Sequence, residues 1–578
     1  MPKKYFCYCI GGTGARVAEA AAHLCAMNMI NADQQEEIEF IIVDKDKECG
    51  GTEQAKHVIG SAAALSPNAN NLQRSGLVNG QGQHEFCKNY INVNTNWDFT
   101  SALARLKERN AGGVQNAGTI SLKDAVSRTN NNDDKVLMNA FYTQKEQNND
   151  TDKGFYGDPS VGSLIFKYMV KNDGNQNDIT NPVTGWLGQH ANAGDEARVF
   201  IIGSIFGGTG AAIFSNLAAH LRDSANVGRL FISGVLLLPY FSFGDGGQNA
   251  KVNSAEFFKK SKVALDEYNR DLNLIRTVNN PNGSFDSLYV CGQYECHMTS
   301  ENYADGGKYQ NNHFDLVDLV AASAMVDFFN KDFPANNGQI VGLGKIYEYR
   351  FGVQTATALQ EVKLEDINEL LDKMQQMLLF SAFVVIKGYG QYLLNERADP
   401  KTVYENVTMI KRLFDRSEIT GRNNNFTAVK NDANALLRSV YSYCKEYIRL
   451  VYDIARNGMN WNAQIPNAAY KLFSERYTAD LKRICDDIDV YNANNAESVK
   501  ALKTEICNFL KSSQDIRDNV TSNKTVASVE TELGDIFAIG GMPYLGGISR
   551  VYHGNDGISP KMRFLDYIDE AYKACQGV

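Results

Sequence analysis

No stretch of this 578-residue chain is apolar for the roughly 20 residues that a membrane-crossing helix needs. The longest apolar runs, near residues 377–386 and 235–240, fall far short, and Met-Pro-Lys-Lys leads straight into a strand pattern. We therefore expect a cytoplasmic protein with no membrane insertion. Nor is there a CxxC pair among the eleven cysteines. An odd number scattered through strand and helix patterns suits free, buried thiols. Cys291, Cys296 and His297 form the nearest thing to a ligand cluster but lack the second pair that a tetrahedral metal site requires. Positive charge is short as well. Against 67 Asp and Glu there are 58 Lys and Arg, and the resulting −9 argues against a general nucleic-acid binder. It leaves room for a small anionic ligand held by local amides. With 43% hydrophobic residues the chain can bury a large core, spread by length over two to four domains.

What the chain does have is a pair of matching glycine turns. Gly11-Gly12-Thr13-Gly14 follows an apolar run at 5–10, and Gly207-Gly208-Thr209-Gly210 follows Val199-Phe200-Ile201-Ile202-Gly203-Ser204. Each opens a helical pattern. A strand ending in glycines lets backbone N–H groups approach an anion with no Cβ in the way, and the helix behind adds its positive end. A second such turn far along the chain calls for a fold that brings both to one ligand, where the two threonine hydroxyls add a bond each.

The order of segments predicts the fold. Strand 4–10, turn, helix 15–28 and strand 39–43 ending in Asp44 make a βαβ opening. Residues 51–152, rich in Asn, Gln, Gly and Ser with one helical patch at 99–109, read as a large surface insertion. A βα unit returns at 199–222, a strand at 230–238 runs to Pro239, and a helix at 254–269 leads to strand 287–291. Such alternation predicts an α/β domain over 1–330, its mostly parallel sheet flanked by helices. Helical spacing at 367–379, 433–454, 470–490 and 498–510, with glycine turns at 540–541 and 546–547, predicts a mostly helical C-terminal domain over 331–578.

For the first turn alone, a Rossmann dinucleotide site is the plain alternative, with Asp44 where a ribose acid would stand. Val17 replaces its third glycine, however, and it gives the second turn nothing to do. Phe206-Gly207-Gly208-Thr209-Gly210-Ala211-Ala212 instead resembles the GGGTGTG signature of the tubulin/FtsZ superfamily of GTP-binding filament proteins. Other segments fall in that family's order. Gly154-Phe155-Tyr156-Gly157-Asp158-Pro159-Ser160-Val161-Gly162 is similar to the FtsZ loop GAGxNPxxG that faces the terminal phosphate. Gly234-Val235-Leu236-Leu237-Leu238-Pro239-Tyr240-Phe241-Ser242-Phe243 is similar to the GVVTxPFxF strand and ribose loop. Gln293 stands where the family places a base-contacting Asn, and Phe314 and Asp318 reproduce the FxxxD spacing of its central helix.

The resemblance implies a GTP/GDP site with Mg²⁺. Gly11, Gly12, Thr13, Gly14, Gly207, Gly208, Thr209 and Gly210 would hold the phosphates, with Gly157 and Asp158 beside the terminal one. Asp44 and Asp46 would order a metal-bound water or the ribose, Pro239 and Asp245 would lie in the ribose loop, and Gln293, Phe314 and Asp318 would meet the guanine. Residues four apart share a helix face, so Phe314 can cover a purine while Asp318 accepts from N1–H and N2–H₂, donors that adenine lacks. Plainer roles stay open: Asp44 as a strand cap, Phe314 as core, Asp318 as a solvated helix carboxylate.

Departures from the family limit the functional reading. Phe206 and Ala211-Ala212 make the rim of the second turn bulkier, and the family's GxxNxDxxD catalytic loop is not recognisable. The nearest stretch, 362–367, offers Glu361, Glu365 and Asp366 as catalytic acids, although a helix start is acidic for its own reasons. Two functions follow. One is head-to-tail self-association into filaments with GTP hydrolysis at the subunit interface. The other is a non-polymerising GTP-binding switch or scaffold that works with a partner protein. A nicotinamide or flavin oxidoreductase is a weaker third.

Overall fold

The computed structural model describes residues 3–32, 36–46, 48–66, 85–94, 121–127, 132–148, 151, 154–155, 157–172, 178–190, 195–224, 230–243, 253, 256–271, 273–277, 279–292, 299–301, 303–304, 306–310, 312–331, 333, 345–349, 360–361, 367–385, 398–421, 426–461, 525–537, 552 and 557–576. The chain divides into two units. The first comprises Met1–Ala22, Ile30–Ile59 and Ile91–Lys363, the second His23–Met29, Gly60–Tyr90 and Leu364–Val578.

The strands are β1 (Lys3–Ile10), β2 (Glu37–Val43), β3 (Tyr90–Asn94), β4 (Glu196–Ser204), β5 (Leu230–Leu237), β6 (Phe241–Phe243), β7 (Ser287–Cys291), β8 (Thr299–Glu301), β9 (Lys345–Tyr349) and β10 (Gln360–Glu361). Eight of them form one sheet in the order β10-β9-β7-β5-β4-β1-β2-β3, and β6 pairs with β8 apart from it. From β2 across to β10 every pairing is parallel. Parallel neighbours need helical crossovers, which cover both faces of the sheet. The central strands are accordingly apolar without alternation: Phe6 to Ile10 of β1 and Val199 to Ile202 of β4 are fully buried.

Helices of the first unit include α1 (Gly11–Ala26), α2 (Gly50–Ala63), α3 (Leu122–Ser127), α4 (Asn132–Phe141), α5 (Gln144–Asn148), α6 (Pro159–Asn172), α7 (Asn181–Gln189), α8 (Gly208–Ser224), α9 (Phe257–Arg270) and α10 (Leu316–Asn330). The last turn of α1 and the end of α2 are assigned to the second unit. Both glycine turns are themselves the first turns of helices, α1 and α8. The crossover β1-α1-β2 runs toward one edge of the sheet and β4-α8-β5 toward the other. The direction of winding therefore reverses between the neighbours β1 and β4, and such a switch point opens a crevice at the carboxyl ends of the strands. Helix α10 is apolar on all sides and buried along most of its length, as a central helix must be.

Two expectations change. Residues 51–152 are not one surface insertion: α2 packs Ala55, Val58 and Ile59 into the interior, and β3 extends the sheet beyond β2. The patch at 99–109 lies outside the described residues. At the other edge, β9 and β10 join the sheet, so the first unit runs to Lys363 rather than 330.

The second unit is helical, with α11 (Ile367–Phe383), α12 (Pro400–Asn406), α13 (Thr408–Leu413), α14 (Arg416–Thr420), α15 (Phe426–Trp461), α16 (Val526–Ile536) and α17 (Pro560–Ala574). Its core is aromatic. Phe86 meets Phe380 and Tyr572 at ring separations of 4.8 and 5.4 Å, and the Tyr447 hydroxyl donates to the Met374 carbonyl at 2.8 Å. His23 sits among these rings, 3.1 Å from the Tyr443 hydroxyl, and burial drives its imidazole down to about 3, so it is neutral. The helical patterns at 470–490 and 498–510 and the glycine turns beyond 538 lie outside the described residues.

Candidate functional site

The two turns stand side by side because β1 and β4 are paired. Gly11 takes a left-handed conformation with φ +70°, which turns the chain from strand into helix, and a Cβ there would lie 3.5 Å from both Gly210 N and Thr209 Cβ. Two other glycines let the helices start hard against the sheet. A Cβ on Gly14 would be 2.9 Å from Cys9 C and Ile202 O, and one on Gly210 would be 2.8 Å from Ser204 N. The amides of a first helical turn have no carbonyl of their own helix to bind, so α1 and α8 direct two sets of donors and two positive helix ends at one place.

That place is an open cleft. Gly11, Gly12 and Thr13 line it from the first turn, Gly207, Gly208, Thr209 and Gly210 from the second, Asp44 and Asp46 from the loop after β2, and Gly157 with Gly154 and Phe155 from the loop before α6. Phe206, Phe241, Phe243 and Phe257 complete an aromatic side, with Phe206 and Phe257 rings 5.0 Å apart. Gln310 closes the acidic side, its carbonyl accepting from Gly51 N at 2.9 Å.

Asp44 accepts from Thr52 Oγ1 at 3.1 Å and from Asp46 N at 3.2 Å, while Asp46 accepts from the amides of Gly307 at 2.5 Å and Glu48 at 3.1 Å. Burial, with Asp46 nearby as a second cause, pushes the Asp44 carboxyl up to about 6. An acid raised from 3.8 holds its proton more tightly in the folded chain, so its ionisation costs stability as pH rises from about 4 through 6, at most about 3 kcal/mol by neutral pH. Asp44→Asn should therefore raise the stability of the ligand-free protein by about 1–3 kcal/mol at pH 7.5. The gain should shrink as pH falls from 6 toward 4. Melting curves of both proteins across that range check it, and a pH-independent difference would refute the assignment.

Two of the residues expected at the base, Phe314 and Asp318, are buried, at 1% and 0% exposed, and do not line the cleft. Asp318 completes a capping box at the start of α10, accepting from Asp315 N at 3.0 Å. Its other contacts are the Tyr240 hydroxyl, which donates at 2.5 Å, and Arg16 Nε at 3.5 Å. Arg16 Nη2 in turn donates to the Tyr240 oxygen at 2.6 Å. Burial raises the Asp318 carboxyl, and Arg16, Tyr240 and the Asp315 amide oppose that rise. The carboxylate that was expected to read guanine is thus part of the interior, tying α1 to α10.

Three more expected residues are also off the cleft. Gly14 packs α1 on the sheet, Asp158 accepts from Ser160 Oγ at 2.8 Å and Val161 N at 3.3 Å at the start of α6, and Pro239 is buried ahead of Tyr240. Glu361 lies in β10, in the edge strand of the sheet. Asp245, Gln293, Glu365 and Asp366 lie outside the described residues. Phe257 and Gln310 are additions that no sequence pattern announced, whereas Phe206, Phe241 and Phe243 stood within quoted motifs.

A parallel sheet whose winding reverses between two glycine turns is an α/β arrangement in which two helix N-termini meet at one cleft. Residues 7–292 match the family model described as tubulin like. This region, a little under half of the chain, is similar to that tubulin-like family. No curated protein and no solved structure matches it. Among the described residues, no helix is long and apolar enough to cross a membrane.

Proposed function

We propose that the first unit binds GTP and GDP with Mg²⁺ in this cytoplasmic protein, and that copies of the chain associate head to tail so that one subunit's cleft is closed by the next. The convergence of two helix starts on one cleft carries the reading. Its donors suit a chain of phosphates, and Asp44 and Asp46 offer the hard oxygens that Mg²⁺ prefers, directly or through its waters. Bound Mg²⁺ would neutralise phosphate charge. The chain's own part is to orient the phosphates through backbone amides and to exclude water with the Phe206, Phe241, Phe243 and Phe257 side.

Asp158 stays part of this proposal as the residue that shapes the loop before α6, and Pro239 as the one that delivers Tyr240 and the aromatic side. Asp245 and Gln293 are assigned to ribose and base by resemblance alone. An acid of the neighbouring subunit, Glu361, Glu365 or Asp366, would position the attacking water, which makes hydrolysis depend on assembly.

Chromatography of nucleotide released from the purified protein, then negative-stain microscopy with and without GTP, tests the reading. Guanine nucleotide in the protein and filaments with GTP are expected. Guanine nucleotide without filaments, and specific activity that is flat or absent over a hundredfold range of protein concentration, would favour a GTP-binding switch or scaffold with a protein partner. Copurified nicotinamide or flavin would overturn it.

A further inference from the structure

The cleft is short of positive charge. Its charged lining residues are Asp44 and Asp46, and among the described residues no lysine or arginine lines it. Arg16 comes near, 4.9 Å from the Phe241 ring, but it is buried and held by Asp318 and Tyr240. Among the described residues, the exposed Lys260 touches the wall from outside. Lys260 Nζ donates to the Gly157 carbonyl at 3.1 Å, and its only ion pair shown, to Glu256, is long at 3.9 Å.

The position of this lysine is fixed by its helix. Phe257 at the start of α9 lines the cleft with its ring tilted against Phe206, and Lys260, three residues on, shares that helix face. The loop it grips is built to lie close. Gly154 and Gly157 have φ +103° and +71°, and Gly157 N stands 2.9 Å from where a Cβ on Gly208 would be. The loop thus lies directly against the second phosphate turn. A phosphate chain held by the amides of that turn would end beside Gly157, within reach of a flexible ammonium whose side chain is 46% exposed.

We propose that Lys260 is the residue by which the cleft distinguishes a nucleoside triphosphate from a diphosphate, its ammonium leaving the Gly157 carbonyl for the terminal phosphate. This rests on the nucleotide-binding reading above. The exchange replaces a bond to a neutral carbonyl by a charge-assisted one and frees the 154–158 loop, so the loop reports which nucleotide is present.

Titration calorimetry of the full-length protein with GDP and with the β,γ-imido analogue of GTP, in excess Mg²⁺, tests it on wild type, Lys260→Ala and Lys260→Arg. Lys260→Ala should lose about tenfold in affinity for the triphosphate analogue, as expected for one hydrogen bond to a charged group, with GDP affinity unchanged. Lys260→Arg should retain the preference. Because Lys260 is exposed, these variants keep the core intact. An equal loss for both nucleotides would make Lys260 a mere clamp on the loop and overturn the proposal, as would no loss at all. If wild type binds neither probe, the nucleotide reading itself fails.

Discussion

Asp318→Ala is expected to cost about 3–5 kcal/mol of stability, the range for removing one partner of a buried ion pair, and to lose that much without a guanine-specific effect. The carboxylate is completely buried. Its removal takes the carboxylate from the buried Arg16 guanidinium and the acceptor from the Tyr240 hydroxyl, and opens the capping box at the start of α10. Asp318→Asn keeps the shape and one acceptor but not the charge, so it should fall between wild type and alanine. Denaturant unfolding gives the stabilities, and competition between GTP and ATP gives the selectivity. A double change, Arg16→Met with Asp318→Leu, should recover part of the loss, since both charges then leave together. Normal stability of Asp318→Asn combined with a selective loss of GTP would show that the carboxylate faces a base after all.

Asp318 also marks the limit of what the sequence can say. The FxxxD spacing is real and places Phe314 and Asp318 one helical turn apart, yet spacing within one helix says nothing of what approaches from elsewhere. Arg16 and Tyr240 come from α1 and from the connection between β5 and β6, and only the folded sheet brings them to α10. The central strands were legible for the opposite reason. A parallel strand covered on both faces is apolar throughout, so 5–10, 39–43, 199–204 and 230–237 announce themselves locally. Strand β10 did not, being only two residues long, and β9, with Lys345 and Glu348 among its five residues, lacks the apolar run of the central strands. The glycine turns were legible because their residue type is dictated by backbone geometry, whereas the aromatic side was legible only in part, since Phe257 reaches the cleft from a helix whose exposed face is charged. In the second unit the periodicity at 367–379 and 433–454 found α11 and α15, because a long amphipathic helix repeats its signal many times.

The glycines themselves separate two jobs that sequence alone assigns together. A side chain on the second turn was expected to collide with ligand. At Gly208 its first atom would instead meet Gly157 N at 2.9 Å, and at Gly210 it would meet Ser204 N at 2.8 Å and Ser204 O at 2.9 Å. These are backbone atoms, which cannot swing aside. Gly210→Val is therefore expected to cost about 3 kcal/mol or more by overpacking, and to lose nucleotide because the first unit no longer folds correctly. Gly12 differs. Its nearest neighbour would be Cys49 Sγ at 3.4 Å, an ordinary contact at the edge of the cleft. Gly12→Ala should stay within about 1 kcal/mol of wild-type stability, since alanine is also the better helix former. If Gly12 presents its amide to a phosphate, the added methyl should weaken nucleotide binding by about 1.5–3 kcal/mol, the worth of a hydrogen bond to a charged group. Melting curves and nucleotide titration on the two variants separate the roles. A stable Gly210→Val that merely fails to bind would return that glycine to the ligand, and a Gly12→Ala that binds normally would leave the first turn with a structural task only.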